Sequence, residues 1–156
     1  MDASERLVIR AAVEADIPAL VALFATDDVG GHGDTTHPDA LPDYERAFRR
    51  IAASANDTLY VAELAGEVVG TFQTTLITSL TGRGASNLTI EAVQTRADLR
   101  GRGIGAAMIG HAVETAREAG VTLVQLTSNN KREAAHRFYR RLGFAQSHAG
   151  FKMKLK

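Results

Sequence analysis

The 156-residue chain contains no cysteine, no tryptophan and no long hydrophobic run. The lack of cysteine excludes a disulfide framework and a thiolate zinc site, and it suits a reducing compartment. No apolar stretch reaches the roughly 20 residues that span a bilayer, and the N-terminal sequence MDASERLVIR has no apolar signal-peptide core. We therefore expect a cytoplasmic protein that does not bind membranes.

The chain also has no net charge, which argues against general nucleic-acid binding. Its charges are unevenly distributed, however. Residues 1–91 contain 14 acidic and 6 basic residues, whereas residues 92–156 contain 4 acidic and 12 basic residues. One interpretation is that the second half binds an anionic ligand and the first half binds a cationic partner. The other is that both halves carry ordinary solvated surface charge.

The length favours a single domain over residues 1–156. Hydrophobic periodicity and turn residues predict a series of strands and helices. The expected order is a strand (7–12), two helices, a hairpin (58–78), a strand (87–95), a helix (103–120), a strand (121–129), a helix (132–143) and one or two strands in the tail (144–156). The helix between strands 87–95 and 121–127 should make them parallel neighbours. We therefore expect a mixed, mostly antiparallel α/β sheet covered by helices.

The segment LRGRGIGAAMIG (99–110) places four glycines and two arginines at the start of a predicted helix. Helix N-termini carry unpaired amides and positive partial charge, so this pattern is typical of phosphate binding. No P-loop motif is present. The run GRGIGA (101–106) matches the loose dinucleotide pattern, but the following strand ends LTSNN without the acid that would hold a ribose. A turn without a ligand is the alternative interpretation.

Two motifs resemble the signatures of the GNAT superfamily of N-acetyltransferases. RGRGIG (100–105) is similar to [RQ]xxGx[GA], and AHRFYRRLGF (135–144) is similar to AxxxYxxxGF. The resemblance covers essentially the whole chain and is strongest from 87 to 144. It implies a GNAT-like mixed, mostly antiparallel sheet of about six to seven strands flanked by about four helices. It also implies acetyl transfer from acetyl-CoA directly to a primary amine.

The resemblance further implies which residues bind acetyl-CoA. The turn would hold the pyrophosphate and the strand before it would pair with the pantetheine arm. These residues are Val93, Gln94, Thr95, Arg100, Gly101, Arg102, Gly103, Ile104, Gly105 and Ala106. Many members carry an Asn seven residues before the Tyr, where this chain has Arg132; Asn129 and Asn130 are candidates for that contact.

Two residues are candidate catalysts. Tyr139 matches the family tyrosine and would act as general acid to the departing thiolate, since a phenol stays protonated at neutral pH. Glu91 is the candidate general base, on the strand face opposite Ile90 and Ala92. The alternatives are a packing tyrosine and a solvent-facing strand residue. The oxyanion would be held by a main-chain amide near Val93.

The sequence does not identify the acceptor, which can be an amine of a small molecule or of a peptide. An acidic segment around residues 27–45 could attract a cationic amine. Its members are Asp27, Asp28, Asp34, Asp39, Asp43 and Glu45. The cluster of His32, Asp34, His37 and Asp39 matches no established metal site, so no metal is expected. A homodimer is one candidate assembly. Two alternatives remain open: a longer acyl-CoA as donor, and a catalytically silent coenzyme A-binding sensor or scaffold.

Overall fold

A computed structural model of the chain describes residues 6–27 and 32–156. Within these residues, five strands form one sheet in the order β1-β2-β3-β4-β5. The strands are β1 (Val8–Ala11), β2 (Asp57–Leu64), β3 (Glu67–Thr78), β4 (Ser86–Thr95) and β5 (Leu123–Leu126). Neighbouring strands are antiparallel except for the parallel pair of β4 and β5.

Helices cover both faces of this sheet. They are α1 (Ile17–Ala25), α2 (Leu41–Ala53), the single turn α3 (Thr81–Gly84), α4 (Ile104–Glu118) and α5 (Glu133–Arg141). Both α1 and α4 contact β3 and β4. The buried residues of α1 lie outside the core cluster that α4 shares with the sheet, so we place the two helices on opposite faces. Proline in the first turn of α1 and of α2 suits their N-termini, because those amides have no helical partner.

The main core lies between the sheet and α4. Phe72 and Ile90 from the sheet, with Met108 and Ile109 from α4, are at most 2% exposed. The end of the molecule formed by β5 and α5 is less well covered, since neither element contains a buried residue. Its apolar side chains, such as Val124 and Phe138, are only partly buried against the core.

An ion-pair cluster fastens β1 to the start of α1. The Arg10 guanidinium donates to both carboxylate oxygens of Asp16, at 2.8 and 3.0 Å, and to Glu63 at 2.9 Å. Hydrogen bonding to Arg10 holds the pKa of the nearly buried Asp16 carboxyl below its usual value. Because the charged form is favoured, this contact stabilises the fold at neutral pH and weakens as Asp16 is protonated.

The predicted fold class is confirmed: the sheet is mixed, mostly antiparallel and covered by helices. The number of strands differs. Five strands are present in the described chain rather than six to seven, because residues 144–156 form no ladder. The predicted helices and strands near 103–143 are correct in type and slightly too long at their ends. Among the described residues, no helix is long and apolar enough to cross a membrane.

Candidate active site

Strands β4 and β5 pair over only four residues each. The ladder joins Asn87 to Leu123 at one end and Ile90 to Leu126 at the other. Beyond Ile90, β4 continues to Thr95 with β3 as its only partner strand in the described chain. Residues 91–95 therefore have a main-chain edge that no strand covers, and a split opens between the carboxyl ends of the two parallel strands.

A bulge in β4 lies at the start of this split. Glu91 is opposite Gln73 and Gln94 is opposite Thr71, so two residues of β4 face one residue of β3. Ala92, inside the bulge, has a φ of 53°. A bulge bends its strand and re-aims the residues after it. The predicted alternation, which gives Ala92 the same face as Ile90, fails at Ala92, because the bulge adds a residue there and leaves Ala92 exposed.

The start of α4 lies just after this part of β4. Its N-cap residue Gly103 is left-handed, with φ 86° and no side-chain cap, and Gly101 is also left-handed with φ 78°. Other residues adopt this conformation only with strain. The first amides of α4, at residues 104–106, thus begin a helix that no side chain caps.

Gly105 has a different role in the same turn. A Cβ atom built on it would lie 3.2 Å from the ring of Phe138 on α5, which is closer than ordinary contact. The glycine therefore allows α4 and α5 to approach each other, and Ile104 beside it is buried in the core. The arginines of the turn, Arg100 and Arg102, are exposed. Arg100 Nε lies 3.4 Å from the Thr95 carbonyl oxygen at the end of β4.

Tyr139 is half-buried on α5. Its ring packs on Phe138, with ring centroids 5.2 Å apart, and on Phe144, at 5.9 Å. Burial raises the pKa of the Tyr139 phenol, and the nearby Arg132 charge partly opposes this. Within residues 6–27 and 32–156, the Tyr139 hydroxyl has no hydrogen-bond partner. Every fully buried side-chain oxygen in these residues has such a partner. The Tyr139 hydroxyl is therefore not fully buried, and a ligand can reach it.

Glu91 is exposed and lies at the bulge, on the strand face opposite the buried Ile90. This part of the predicted alternation is correct. Val93, after the bulge, packs against the core beside α4. Gln94 points to the other side of the sheet and reaches the end of α1, where its amide nitrogen donates to Asp27 at 2.8 Å.

Asp27 is the centre of a polar bridge that was not predicted from the sequence. Arg132, before α5, donates to both oxygens of the Asp27 carboxylate at 2.6 and 2.7 Å, and Gln94 donates to the same group. The bridge joins α1, β4 and α5 beside the split. No sequence signal could have shown it, since its members are separated by 67 and 105 residues along the chain.

The two candidate asparagines differ in their surroundings. The Asn129 side-chain oxygen accepts a hydrogen bond from the Lys131 amide at 2.9 Å. The Asn129 main-chain carbonyl accepts one from the Arg132 amide. Asn129 thus shapes the turn before α5. Asn130 lines a surface groove of about 380 Å³ on α5, together with His136 and Arg140 among others. Tyr139 does not line that groove.

Much of the acidic segment is engaged in local contacts. Asp27 pairs with Arg132, Asp43 with Arg46, and Glu45 with Arg49. Asp34 accepts a hydrogen bond from the Tyr44 hydroxyl at 2.7 Å, and Asp39 lies 3.6 Å from His37. Asp28 is outside the described residues. Pairing with arginine reduces the negative field that a cationic amine would meet. Among the described residues, no cluster of His, Asp or Glu could hold a metal ion.

Comparison with known proteins identifies the family. The model of the Acetyltransferase (GNAT) family matches residues 18–144. The chain belongs to the GNAT family. This match confirms the resemblance predicted from the two motifs. Members of the family are acyltransferases that use acetyl-CoA as acetyl donor.

Individual relatives are consistent with this assignment. The chain is 49% identical over 53 residues to an aminoalkylphosphonate N-acetyltransferase of Salmonella typhimurium. The matched segment covers 34% of this chain and 34% of that protein. It is 32% identical over 101 residues to an uncharacterized N-acetyltransferase of Methanocaldococcus jannaschii, covering 64% of this chain and 44% of that protein. The chain thus spans less than half the length of these curated relatives.

Among solved structures, a protein from Bacillus halodurans described as a transcriptional regulator is similar over nearly its whole length. The TM-score is 0.92 and the sequence identity is 39%, covering 96% of this chain and 100% of that chain.

Proposed function

We propose that this GNAT protein transfers an acetyl group from acetyl-CoA directly to a primary amine of a small molecule. The observation that carries the proposal is the position of an uncapped, glycine-rich helix start beside the uncovered edge of β4. The helix start can bind an anion through its main-chain amides, and the edge of β4 can pair with an extended amide chain. Coenzyme A carries both groups in one molecule.

The residues present fit a coenzyme A ester. The amides at 104–106 would bind the pyrophosphate, and the left-handed glycines at 101 and 103 have no Cβ to obstruct it. Arg100 and Arg102 supply positive charge there. The edge of β4 at residues 93–95 would pair with the amides of the pantetheine arm. Asn130 is a further candidate contact, whereas the side chain of Asn129 already serves the turn before α5.

Acetyl-CoA, when bound, supplies an activated thioester carbon for attack by a neutral amine. Tyr139 would hold a proton on its accessible hydroxyl and donate it to the leaving thiolate, since the raised pKa of the phenol keeps it protonated. Glu91, exposed at the mouth of the split, would receive the proton that the amine loses, directly or through water. A main-chain amide near the bulge, at Val93, would donate to the oxyanion.

The acceptor is best sought among small amines, and the relative from Salmonella suggests including aminoalkylphosphonates. A suitable panel also contains polyamines, amino acids, aminoglycosides and peptides. Release of free thiol from acetyl-CoA, followed for each amine, would identify the acceptor. Propionyl-CoA in parallel would test whether a longer acyl group is preferred.

Calorimetry separates the proposal from its alternatives. We expect acetyl-CoA to bind the purified protein and at least one amine to release thiol. Binding without thiol release from any amine would favour a silent coenzyme A-binding module, a role suggested by the similar protein described as a regulator. An absence of binding heat for acetyl-CoA would contradict both interpretations.

A further inference from the structure

The guanidinium of Arg132 lies on the face of the sheet that α4 does not cover. It pairs with Asp27 just after α1, and the side chain of Gln94 reaches the same carboxylate. The neighbouring Val93 instead packs against the core that α4 covers, and α1 lies on the opposite face. The glycine-rich turn belongs to α4. Arg132 therefore faces the side of the split that a coenzyme A ester bound at this turn leaves open to an acceptor.

More than half of the hydrogen-bond donors of Arg132 are unused. A guanidinium has five N–H donors, and each Nη atom carries two of them. In Arg132, Nη2 makes both contacts with the Asp27 carboxylate, at 2.6 and 2.7 Å. Within residues 6–27 and 32–156, Nη1 and Nε have no hydrogen-bond acceptor. The side chain is 30% exposed, so an anionic oxygen group of a ligand can approach these remaining donors.

The orientation of this guanidinium is fixed from both ends. The Arg132 amide donates to the Asn129 carbonyl at 2.9 Å, and the Arg132 carbonyl accepts a hydrogen bond from the His136 amide at 3.1 Å. Asp27 holds the tip of the side chain and is itself held by Gln94. An arginine that is already ordered loses little conformational entropy when it binds a ligand. The unused donors are thus preorganised for an acidic group.

Arg132 also lies close to the candidate catalytic residues. Burial raises the pKa of the Tyr139 phenol, and the nearby charge of Arg132 opposes this rise. Along β4, Glu91 and Gln94 lie opposite residues of β3 that are two positions apart. At about 3.4 Å per residue, Glu91 is therefore roughly 7 Å along the strand from the Asp27 bridge. An amine held near Glu91 can extend an acidic group toward Arg132 over a chain of about two or three carbons.

We propose that Arg132 determines acceptor specificity by binding a carboxylate, phosphonate or phosphate group of the amine. The acidic group accepts hydrogen bonds from Nη1 and Nε, while Nη2 keeps its contact with Asp27. The amine at the other end of the acceptor then lies toward Glu91 and the thioester. This inference rests on the proposed acetyl transfer, and it names the class of acceptor as short amines that carry an acidic group.

Kinetics with matched amines test the specificity. In the wild type, kcat/KM for β-alanine or 2-aminoethylphosphonate should exceed kcat/KM for n-propylamine at least about tenfold, because the neutral amine leaves the Arg132 donors unpaired. In Arg132→Gln this ratio should fall to about one. Arg132→Lys keeps a charge for Asp27 but lacks the planar fork, so it should remain folded and still lose most of the preference. If Arg132 served only the structure, its replacement would lower both values by the same factor, and an unchanged ratio would overturn the proposal.

Calorimetry gives a second readout that does not need turnover. In excess coenzyme A, 2-aminoethylphosphonate should bind the wild type and bind Arg132→Gln about tenfold more weakly. The control Arg137→Gln, which changes an exposed arginine of α5, should match the wild type. If these binding results are obtained but no amine releases thiol, the proposed function fails and the role of Arg132 stands. Equal binding to the wild type and Arg132→Gln, or no preference of the wild type for acidic amines, would show that Arg132 does not select the acceptor.

Discussion

At the scale of single residues, the backbone at Ala92 controls the site. A left-handed alanine costs about 1–2 kcal/mol relative to an ordinary strand conformation. The ladder between β3 and β4 on either side holds it in place. The result is that Glu91 lies at the mouth of the split while Val93 returns to the core. The candidate base Glu91 is thus positioned by the backbone of its neighbour Ala92, whose side chain carries no functional group.

Tyr139 provides a prediction at the same scale. Replacement by phenylalanine should lower kcat by roughly 10²–10⁴-fold, because the general acid is lost while the aromatic packing on Phe138 and Phe144 is kept. The dissociation constant of acetyl-CoA should change little. Steady-state kinetics and calorimetry on the same preparations measure the two effects.

The pH dependence gives Tyr139 a second readout. Since burial raises the pKa of the phenol above its ordinary value, the wild-type protein should keep its acid protonated throughout the neutral range and should lose kcat only in strongly alkaline solution. The Tyr139→Phe variant should lack this alkaline decline. Equal kcat in the two proteins would exclude the catalytic role and leave a packing role.

At the scale of elements, the start of α4 combines two separate demands on glycine. Gly103 provides the left-handed N-cap, and Gly105 provides room for Phe138 of α5. The first demand concerns the backbone of the turn, where we propose that the ligand binds, and the second concerns packing between helices. A motif that looks uniform in the sequence therefore has two physical origins.

The variant Gly103→Ala tests the first demand. An alanine at φ 86° is strained by about 1–2 kcal/mol, so the turn should leave its binding conformation and acetyl-CoA affinity should fall about tenfold. Gly110→Ala is the matched control, because that glycine lies within α4 with no atom near its missing Cβ. The control should keep full affinity and stabilise the protein by about 0.5–1 kcal/mol. Full affinity in Gly103→Ala would remove the turn from the site.

At the scale of the whole molecule, the bridge of Arg132, Asp27 and Gln94 unites distant parts of the chain. It connects an acid of the first half to an arginine of the second half, across 105 residues. The opposite charge balances of the two halves are thus used in part within the protein itself. Neither an external anion nor an external cation is required for this pair.

Removal of this bridge should affect both stability and acceptor binding. In Arg132→Ala, the Asp27 carboxylate loses a charged partner, so the free energy of unfolding should fall by about 2 kcal/mol. The end of α1 should also shift beside the split and raise the KM for the amine. Urea unfolding and kinetics with the identified acceptor measure these effects. The control is Arg137→Ala, which removes an exposed arginine of α5 itself. Equal results for the two variants would contradict the prediction.

Several features could be predicted because they depend on residues close together in the chain. The hairpin around Ala65 and Gly66, the helix after Gly103 and the half-buried Tyr139 follow from local periodicity and turn residues. The bulge at Ala92 could not be predicted, since alanine does not favour a positive φ and only the register with β3 requires it.

The sequence by itself determined the family, the mixed sheet, the glycine-rich turn before α4 and the candidate acid, because each depends on a short motif or a regular period. Tertiary structure alone decided the split between β4 and β5, the Asp27 bridge and the exposure of residues 145–156. These features depend on which distant segments meet and where pairing stops. The alternating pattern FKMKLK predicts a strand with one buried face. Only the folded chain shows that Phe151, Met153 and Leu155 are exposed.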